Sequence, residues 1–215
     1  VTTWADEMRS SPDPKWRKRG KWHYISLEKI SDFKPDAYNG KVKDIYTAIR
    51  KSIDVLRNPA ASQEEKEFYL RFLTHLVGDL HMPLHVGRTE DRGGNAIDVK
   101  FFGRKMNLHS LWDTHLIENQ NLSFTEFATF INTNDQSEIS AILNSRPRDW
   151  VAESFKLRAD VYDIKDGDFS YNYVYQHMPT AKSQLKKAGL RLAGVLNAIF
   201  DPNSVEGKNA VILTK

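Results

Sequence analysis

Histidine and aspartate side chains recur at a helical spacing in the apolar segment Phe68–His85. His75 and Asp79 stand four residues apart, so both lie on one face of the helix that the apolar periodicity predicts. Pro83 should end this helix, which places His85 just beyond its end. Two imidazoles and a carboxylate in this arrangement suit a cation that accepts nitrogen and oxygen ligands.

A second segment, Leu108–Asp113, repeats the spacing with His109 and Asp113. Asp6 and His23 add an acid and an imidazole in apolar or aromatic surroundings. A single pair of this spacing is usually an ordinary helix-surface pair, so the inference depends on the repetition. Burying such groups costs free energy unless something binds them, and a metal cluster would satisfy all of them together.

Composition sets limits on the class of protein. The 215 residues fit one domain, and 40% hydrophobic with 27% charged residues describe a globular protein. No apolar run has the length needed to span a membrane, and the net charge of +3 does not indicate a duplex-binding face. The chain has no cysteine, which excludes thiolate metal sites, cysteine nucleophiles and disulfides.

The pattern predicts a mainly α, single bundle-like domain with a small β-hairpin. Asn95–Phe102 alternates between apolar and polar residues, and Gly103-Arg104 can turn the chain back to form the hairpin. Ser62, followed by Glu65, predicts a capping box at the start of the central helix. Residues 1–200 would form the domain, 10–21 a loop and 201–215 a loosely held tail. Further helices are predicted at 41–56, 123–133, 147–162 and 180–200, with a shorter one at 137–143.

The order of the motifs WAD, WHY, HLVGDLHMPLH, GGN and NLHSLWDT resembles the class I zinc-dependent, single-strand-specific nucleases of the S-one/P-one type. The resemblance covers most of the chain and implies a fold shared with the zinc phospholipases C. It also implies zinc-dependent cleavage of single-stranded DNA and RNA to 5′-phosphate products, together with 3′-nucleotidase activity. Clustered zinc ions suit this reaction because they activate water and offset the charge on phosphoryl oxygens.

The resemblance also divides the ligands among zinc ions. Two sites would be complete in this chain, formed by Asp6, His23 and His75 and by His85, His109 and Asp113. Asp79 would be a catalytic carboxylate that bridges the first zinc to a third. The family draws the other ligands of that third ion from a Trp and a His ahead of the WAD motif, which have no match here. We therefore expect the third zinc to be absent or weakly held.

Four further residues are candidates for contact with substrate. Arg9 would stabilise charge at the scissile phosphate, or would be a plain surface arginine. Tyr24 would stack on an unpaired base, or would be a core aromatic. Ser26 replaces an acid that reads the base edge, so base preference should differ, and Asn95 would orient a ligand or turn the chain. Three other histidines are not expected to be ligands, namely His81, His115 and His177.

Two other functions stay open at this stage. A zinc phospholipase C-like phosphodiesterase would use the same ligands, but it should expose an apolar rim that the sequence does not reveal. An inactive zinc-stabilised fragment is the other possibility, and retained activity would argue against it. The leading hypothesis predicts a secreted or periplasmic monomer that acts on single-stranded DNA, RNA and nucleotides without a membrane partner.

Overall fold

Helices make up most of the structure, a computed structural model that describes residues 3–203 and 210–213. None of the helices in these ranges is both long and apolar enough to cross a membrane. The helices in chain order are α1 (Trp4–Glu7), α2 (Pro14–Arg19), α3 (Ile45–Arg57), α4 (Gln63–His81), α5 (Leu108–Ser110), α6 (Leu116–Glu118), α7 (Phe124–Ile131), α8 (Gln136–Leu143), α9 (Pro147–Val161) and α10 (Tyr171–Phe200). The mainly α class is therefore confirmed.

Helix α4 is the central helix, and it forms as the sequence predicts. The Ser62 side chain accepts a hydrogen bond from Glu65 N at 3.2 Å, while the Glu65 carboxylate accepts one from Ser62 N at 3.1 Å. This reciprocal capping box satisfies backbone donors that a helix start leaves unpaired. The helix ends at His81, and Pro83–Val86 then form a single 3₁₀ turn.

A small sheet flanks the helices. Strands β1 (Asp98–Phe101) and β2 (Arg104–Asn107) pair antiparallel through a turn in which Phe102 and Gly103 both have positive φ. Positive φ at both central residues is typical of a tight hairpin, so the predicted hairpin is confirmed. Strand β3 (Asp168–Phe169) pairs parallel to β1. Two residues carry no alternation pattern, which is why sequence analysis missed this strand.

The buried side chains form two clusters. One joins α3 and α4 to the N-terminal segments and to the C-terminal half of α10. The second lies beneath the hairpin, between α5, α6 and the first half of α10. Helix α4 ends close to the second cluster, so its last turn lies where the two clusters meet.

The segment from residue 10 to 21, predicted as a loop, contains helix α2 instead. Asp13 caps this helix, because its carboxylate accepts a hydrogen bond from Lys15 N at 2.9 Å. Pro14 occupies the first helical position, where its fixed φ favours a helix. The prediction treated Pro14 and the charge density as loop signals and was wrong here.

Helix α10 begins at Tyr171 rather than at Thr180, so Pro179 lies inside it. Burial of Tyr173 and Met178 stabilises the extra turns and outweighs the backbone hydrogen bond that proline cannot donate. Of the predicted tail 201–215, residues 204–209 and 214–215 lie outside the described part of the chain, and Ile212 is 3% exposed and packs in the first cluster. The tail is therefore not loosely held at this residue.

Candidate metal centre and substrate cleft

Two sets of His and Asp side chains could hold a metal ion, and they are called the first and second metal groups. The first brings together residues from three separate elements. Asp6 comes from α1, His23 from the 3₁₀ turn Gly20–His23, and His75 from α4. One ligand atom from each lies within 4.8 Å of the others. His75 Nε2 is 2.9 Å from His23 Nδ1 and 3.7 Å from Asp6 Oδ2. Both histidines are buried, whereas Asp6 is exposed and faces solvent.

Asp79 lies beside this group, one helical turn beyond His75. Its Oδ2 is 2.9 Å from His75 Nε2, 3.0 Å from His23 Nδ1 and 3.7 Å from His85 Nδ1. Burial acts to raise the pKa of Asp79, but the charge of His85 and the hydrogen bonds from His23 and His75 hold the pKa well below its usual range. Asp79 is thus an ionised carboxylate between two clusters of histidines.

The second metal group consists of His85, His109 and Asp113, whose ligand atoms also lie within 4.8 Å of one another. His85 lies in the 3₁₀ turn after α4, and His109 lies in α5. Asp113 lies in the wider π turn Leu111–His115. Turns of this kind occur often at functional sites, because they redirect a side chain within a continuing helix.

Backbone carbonyls orient both histidines of this group. His85 Nδ1 donates to His23 O at 2.6 Å, and His109 Nδ1 donates to Gly93 O at 2.8 Å. A carbonyl can only accept, so each ring, in the neutral form that binds a metal, presents the lone pair of its Nε2 to the group. Among the described residues, the buried His85 Nε2 has no hydrogen-bond partner and lies 3.5 Å from Asp113 Oδ1. A divalent cation that accepts nitrogen and oxygen ligands would satisfy this buried atom.

The electrostatics of the second group also favour a cation. Burial acts to lower the pKa of His85, yet the charges of Asp79 and Asp113 raise it to about 9. Burial and the charge of His85 lower the pKa of His109. The group therefore holds a proton on His85 when no metal is bound, and a bound cation would replace this positive charge.

Glycines allow the loop 87–95, which contains the GGN motif (residues 93–95), to lie close to the turn that follows α4. Gly93 has a φ of +64°, and a Cβ there would lie 2.5 Å from Leu84 O. A Cβ on Gly87 would lie 2.4 Å from Gly93 Cα. Asp91 supports the loop, because its Oδ1 accepts hydrogen bonds from Gly94 N at 2.8 Å and from Tyr162 OH at 3.0 Å. The GGN motif thus places the Gly93 carbonyl against His109.

The two groups open onto one cleft of about 440 Å³, which His23, His85 and His109 help to line. All four residues predicted to contact substrate line the same cleft, namely Arg9, Tyr24, Ser26 and Asn95. Their shared position agrees with substrate contact but does not test it, so their roles remain predictions.

The cleft residues differ in how they are held. Tyr24 is 43% exposed, which does not fit the alternative of a core aromatic. Arg9 lies 3.5 Å from Asp6. Asn95 Nδ2 donates to Arg92 O at 2.9 Å, so its side chain braces the GGN loop.

Among the described residues, the remaining three histidines lie outside both groups. His81 is buried, donates from Nδ1 to Val77 O and accepts from Arg191. Burial and the Arg191 charge lower the pKa of His81 to about 3, which keeps its ring neutral. His115 faces Glu118. His177 packs against aromatic rings, those of Trp112 and Tyr173.

Sequence analysis missed a buried arginine that holds the two groups together. Arg158 on α9 donates from one nitrogen to Leu27 O at 2.6 Å, to Val86 O at 3.0 Å and to Gly87 O at 2.9 Å. The segment after His23 also pairs with the turn around His85, through Ile25 N and His85 O at 2.8 Å. No local pattern marks an arginine of this kind, because its partners are distant backbone carbonyls.

Comparison with known proteins finds relatives that are named as nucleases. Endonuclease 4 of Arabidopsis thaliana is 30% identical over 231 aligned residues, which cover 93% of this chain and 76% of the relative. Nuclease P1 of Penicillium citrinum is 29% identical over 230 residues, covering 93% of this chain and 83% of the relative. Nuclease S1 of Aspergillus oryzae is 27% identical over 229 residues, covering 93% and 78%.

A family model described as S1/P1 Nuclease matches residues 1–201, which include both metal groups and the whole cleft. The family and the names of the relatives support nuclease activity, which is hydrolysis of phosphodiester bonds in nucleic acid. The chain belongs to the S1/P1 nuclease family.

Proposed function

We propose that this protein is a zinc-dependent endonuclease that hydrolyses single-stranded DNA and RNA to 5′-phosphate products and also acts as a 3′-nucleotidase. The observation that carries the proposal is the convergence of two His/Asp groups on one cleft, with the ionised Asp79 between them. Two sites with three ligands each match zinc, which accepts imidazole nitrogen and carboxylate oxygen. A third, weaker site that uses Asp79 stays a prediction.

Zinc bound at these groups would supply Lewis-acid chemistry. It would also lower the pKa of a bound water, so that a nucleophile for phosphorus is available near neutral pH. The protein's own residues would position the strand. Arg9 lies at the mouth of the first group and would donate hydrogen bonds to non-bridging oxygens of the scissile phosphate. Asp79 would complete the first group, and its negative charge would also lie close to His85 of the second group.

A preference for unpaired strands would come from Tyr24. Its ring lines the cleft next to His23, and it is exposed enough for a base to stack on it. Stacking needs a free base face, and a duplex does not offer one. Ser26 lines the same cleft and can only offer a hydroxyl to the base edge, so base discrimination should be weak.

The proposal is tested by replacing one member of the second group. We expect His85→Asn to reduce cleavage of a single-stranded oligonucleotide by about 100-fold or more, because one metal loses its buried ligand. His115→Asn is the matched control, since His115 belongs to neither group, and it should cleave at the wild-type rate. Product ends should carry 5′-phosphate, and the duplex of the same sequence should be cleaved much more slowly.

The oligonucleotide assay, run beside a phospholipid assay, separates the two alternatives. A zinc phospholipase C-like enzyme would hydrolyse the phosphodiester of a phospholipid and leave the oligonucleotide intact. An inactive zinc-stabilised fragment would bind zinc and cleave neither substrate. A secreted or periplasmic location also remains a prediction from the family resemblance.

A further inference from the structure

The cleft contains a cation that the proposed reaction does not use. Arg92 lines the cleft on the side of the GGN loop, one residue before the Gly93 carbonyl that orients His109. Its side chain is exposed, and among the described residues its guanidinium has no hydrogen bond or ion pair. By contrast, Arg9 lies 3.5 Å from Asp6 and Arg88 lies 3.9 Å from Glu90.

The backbone of Arg92 is held in a conformation that a non-glycine residue rarely adopts. Its φ is +56°, in the left-handed region, which costs about 1 kcal/mol. The surrounding loop fixes this conformation through Arg92 N to Thr89 O at 3.2 Å, Gly93 N to Arg88 O at 3.0 Å and Asn95 Nδ2 to Arg92 O at 2.9 Å. Glycine would adopt this backbone conformation without strain. The arginine at this position is therefore better explained by a role of its side chain.

The two arginines of the cleft lie beside different metal groups. Arg9 is next to Asp6 of the first group, and Arg92 is next to the carbonyl that holds His109 of the second. A phosphate bound between the groups could be reached by Arg9. A single strand carries one phosphate per nucleotide, so a strand that crosses the cleft places a neighbouring phosphate near the GGN loop.

We propose that Arg92 binds a non-scissile phosphate of the same strand and so makes the enzyme favour longer single strands over dinucleotides. The inference rests on the proposed function, since it names a contact of the same substrate. Guanidinium groups bind phosphate through paired N–H donors, and the unpaired, exposed side chain of Arg92 loses no protein partner by doing so.

The test measures binding and cleavage separately. Binding of a phosphorothioate thymidine strand, which resists hydrolysis, is measured against salt concentration for the wild type, Arg92→Gln and Arg104→Gln. Arg104 is an exposed cation in β2, outside the cleft, and its replacement changes the net charge by the same amount. Loss of one phosphate contact should reduce the slope of log affinity against log salt by about 0.7 for Arg92→Gln and leave Arg104→Gln unchanged.

Cleavage then distinguishes a flanking phosphate from the scissile one. We expect Arg92→Gln to raise KM for a thymidine strand with several phosphates by about fivefold, and to leave kcat/KM for the dinucleoside monophosphate unchanged. Arg92→Lys should recover part of the loss. Arg92→Gly, which removes the backbone strain, should behave like Arg92→Gln. This result would show that the effect of the glutamine does not come from a distorted loop.

An equal loss on both substrates would overturn the inference, because Arg92 would then contact the scissile phosphate or support the loop. An unchanged salt slope would overturn it as well. If the salt slopes of the wild type and Arg92→Gln differ as expected but the wild type cleaves nothing, the proposed function is refuted and the Arg92 contact stands. A wild-type protein that binds no strand would refute both.

Discussion

His85 is the residue whose surroundings are hardest to explain without a cation. Its Nδ1 is committed to the His23 carbonyl, and its buried Nε2 has no hydrogen-bond partner among the described residues. An unsatisfied buried polar atom costs about 1–3 kcal/mol in the folded state. A bound metal would remove that cost, which is the residue-scale argument for the second metal group.

A second residue-scale feature is the ion pair between Glu153 and Arg191, which stabilises the fold away from the cleft. The pair is bidentate, with both N–O distances at 2.8 Å, and the Arg191 side chain is 2% exposed. We expect Glu153→Gln to lower the free energy of unfolding by about 2 kcal/mol at pH 7, because a buried guanidinium loses its carboxylate. Urea unfolding measures this, and Glu64→Gln, on the exposed start of α4, should stay within about 0.5 kcal/mol of wild type.

The effect should depend on pH with a definite sign. Burial acts to raise the pKa of Glu153, but the hydrogen bonds and charge of Arg191 lower it below its usual value. A depressed folded-state pKa adds stability above the unfolded value of about 4.3, and this stability is lost as the pH falls through the folded value. The difference between wild type and Glu153→Gln should therefore shrink below about pH 4. A difference that stays constant down to acid pH would contradict this account.

Residue identities could be predicted from the sequence where the signal is local. The four-residue spacing occurs twice, in His75 and Asp79 and in His109 and Asp113. The structure places His75, His109 and Asp113 in the two groups and Asp79 beside the first. The partners that orient these rings could not be predicted, because a backbone carbonyl such as that of Gly93 has no sequence signature. The same reason explains why Arg158 was missed.

At the scale of elements, the loop that carries the GGN motif is fitted against the end of α4. Gly93→Ala would place a methyl group 2.5 Å from Leu84 O at a residue with positive φ. The loop must then shift, and the Gly93 carbonyl would leave His109. We expect nuclease activity to fall by more than about tenfold, with loss of metal from the second group, measured by steady-state kinetics and elemental analysis.

Gly103→Ala provides the matched control for this variant. Gly103 also has positive φ, at +76°, but a Cβ there meets nothing within 4 Å. The substitution should cost about 1 kcal/mol of stability through backbone strain alone and leave activity within about twofold of wild type. Equal activity in the two variants would show that close approach at Gly93 does not matter.

Elements with strong local signals formed as predicted, and the others did not. The capping box at Ser62 appears where the sequence indicates it, and the hairpin turn lies one residue earlier than predicted, at Phe102 and Gly103. Helix α2 was missed because its proline and dense charge were taken as loop signals, and helix α10 begins at Tyr171 rather than at the predicted Thr180. Pro14 lies at a helix start, where proline is favoured, and the turns before Pro179 are held by tertiary packing that no local pattern encodes.

At the scale of the whole molecule, the fold collects side chains from distant parts of the chain around one cleft. The first group spans residues 6 to 75, and the second spans residues 85 to 113. Asp79 joins the two because it lies on the last turn of α4, just before the chain turns back at Pro83. Arg158 on α9 locks the segments after His23 and His85 to each other. Metal binding at these groups would therefore depend on the intact domain rather than on any single motif.

The central claim is that both groups hold zinc and that this zinc is required for cleavage of single strands. Zinc per chain is measured by elemental analysis on the same sample that is assayed on single-stranded DNA, with and without a chelator. The account predicts at least one zinc for each of the two groups, and cleavage that stops with the chelator and returns with added zinc. Cleavage that persists in a zinc-free, chelator-treated sample would contradict the account.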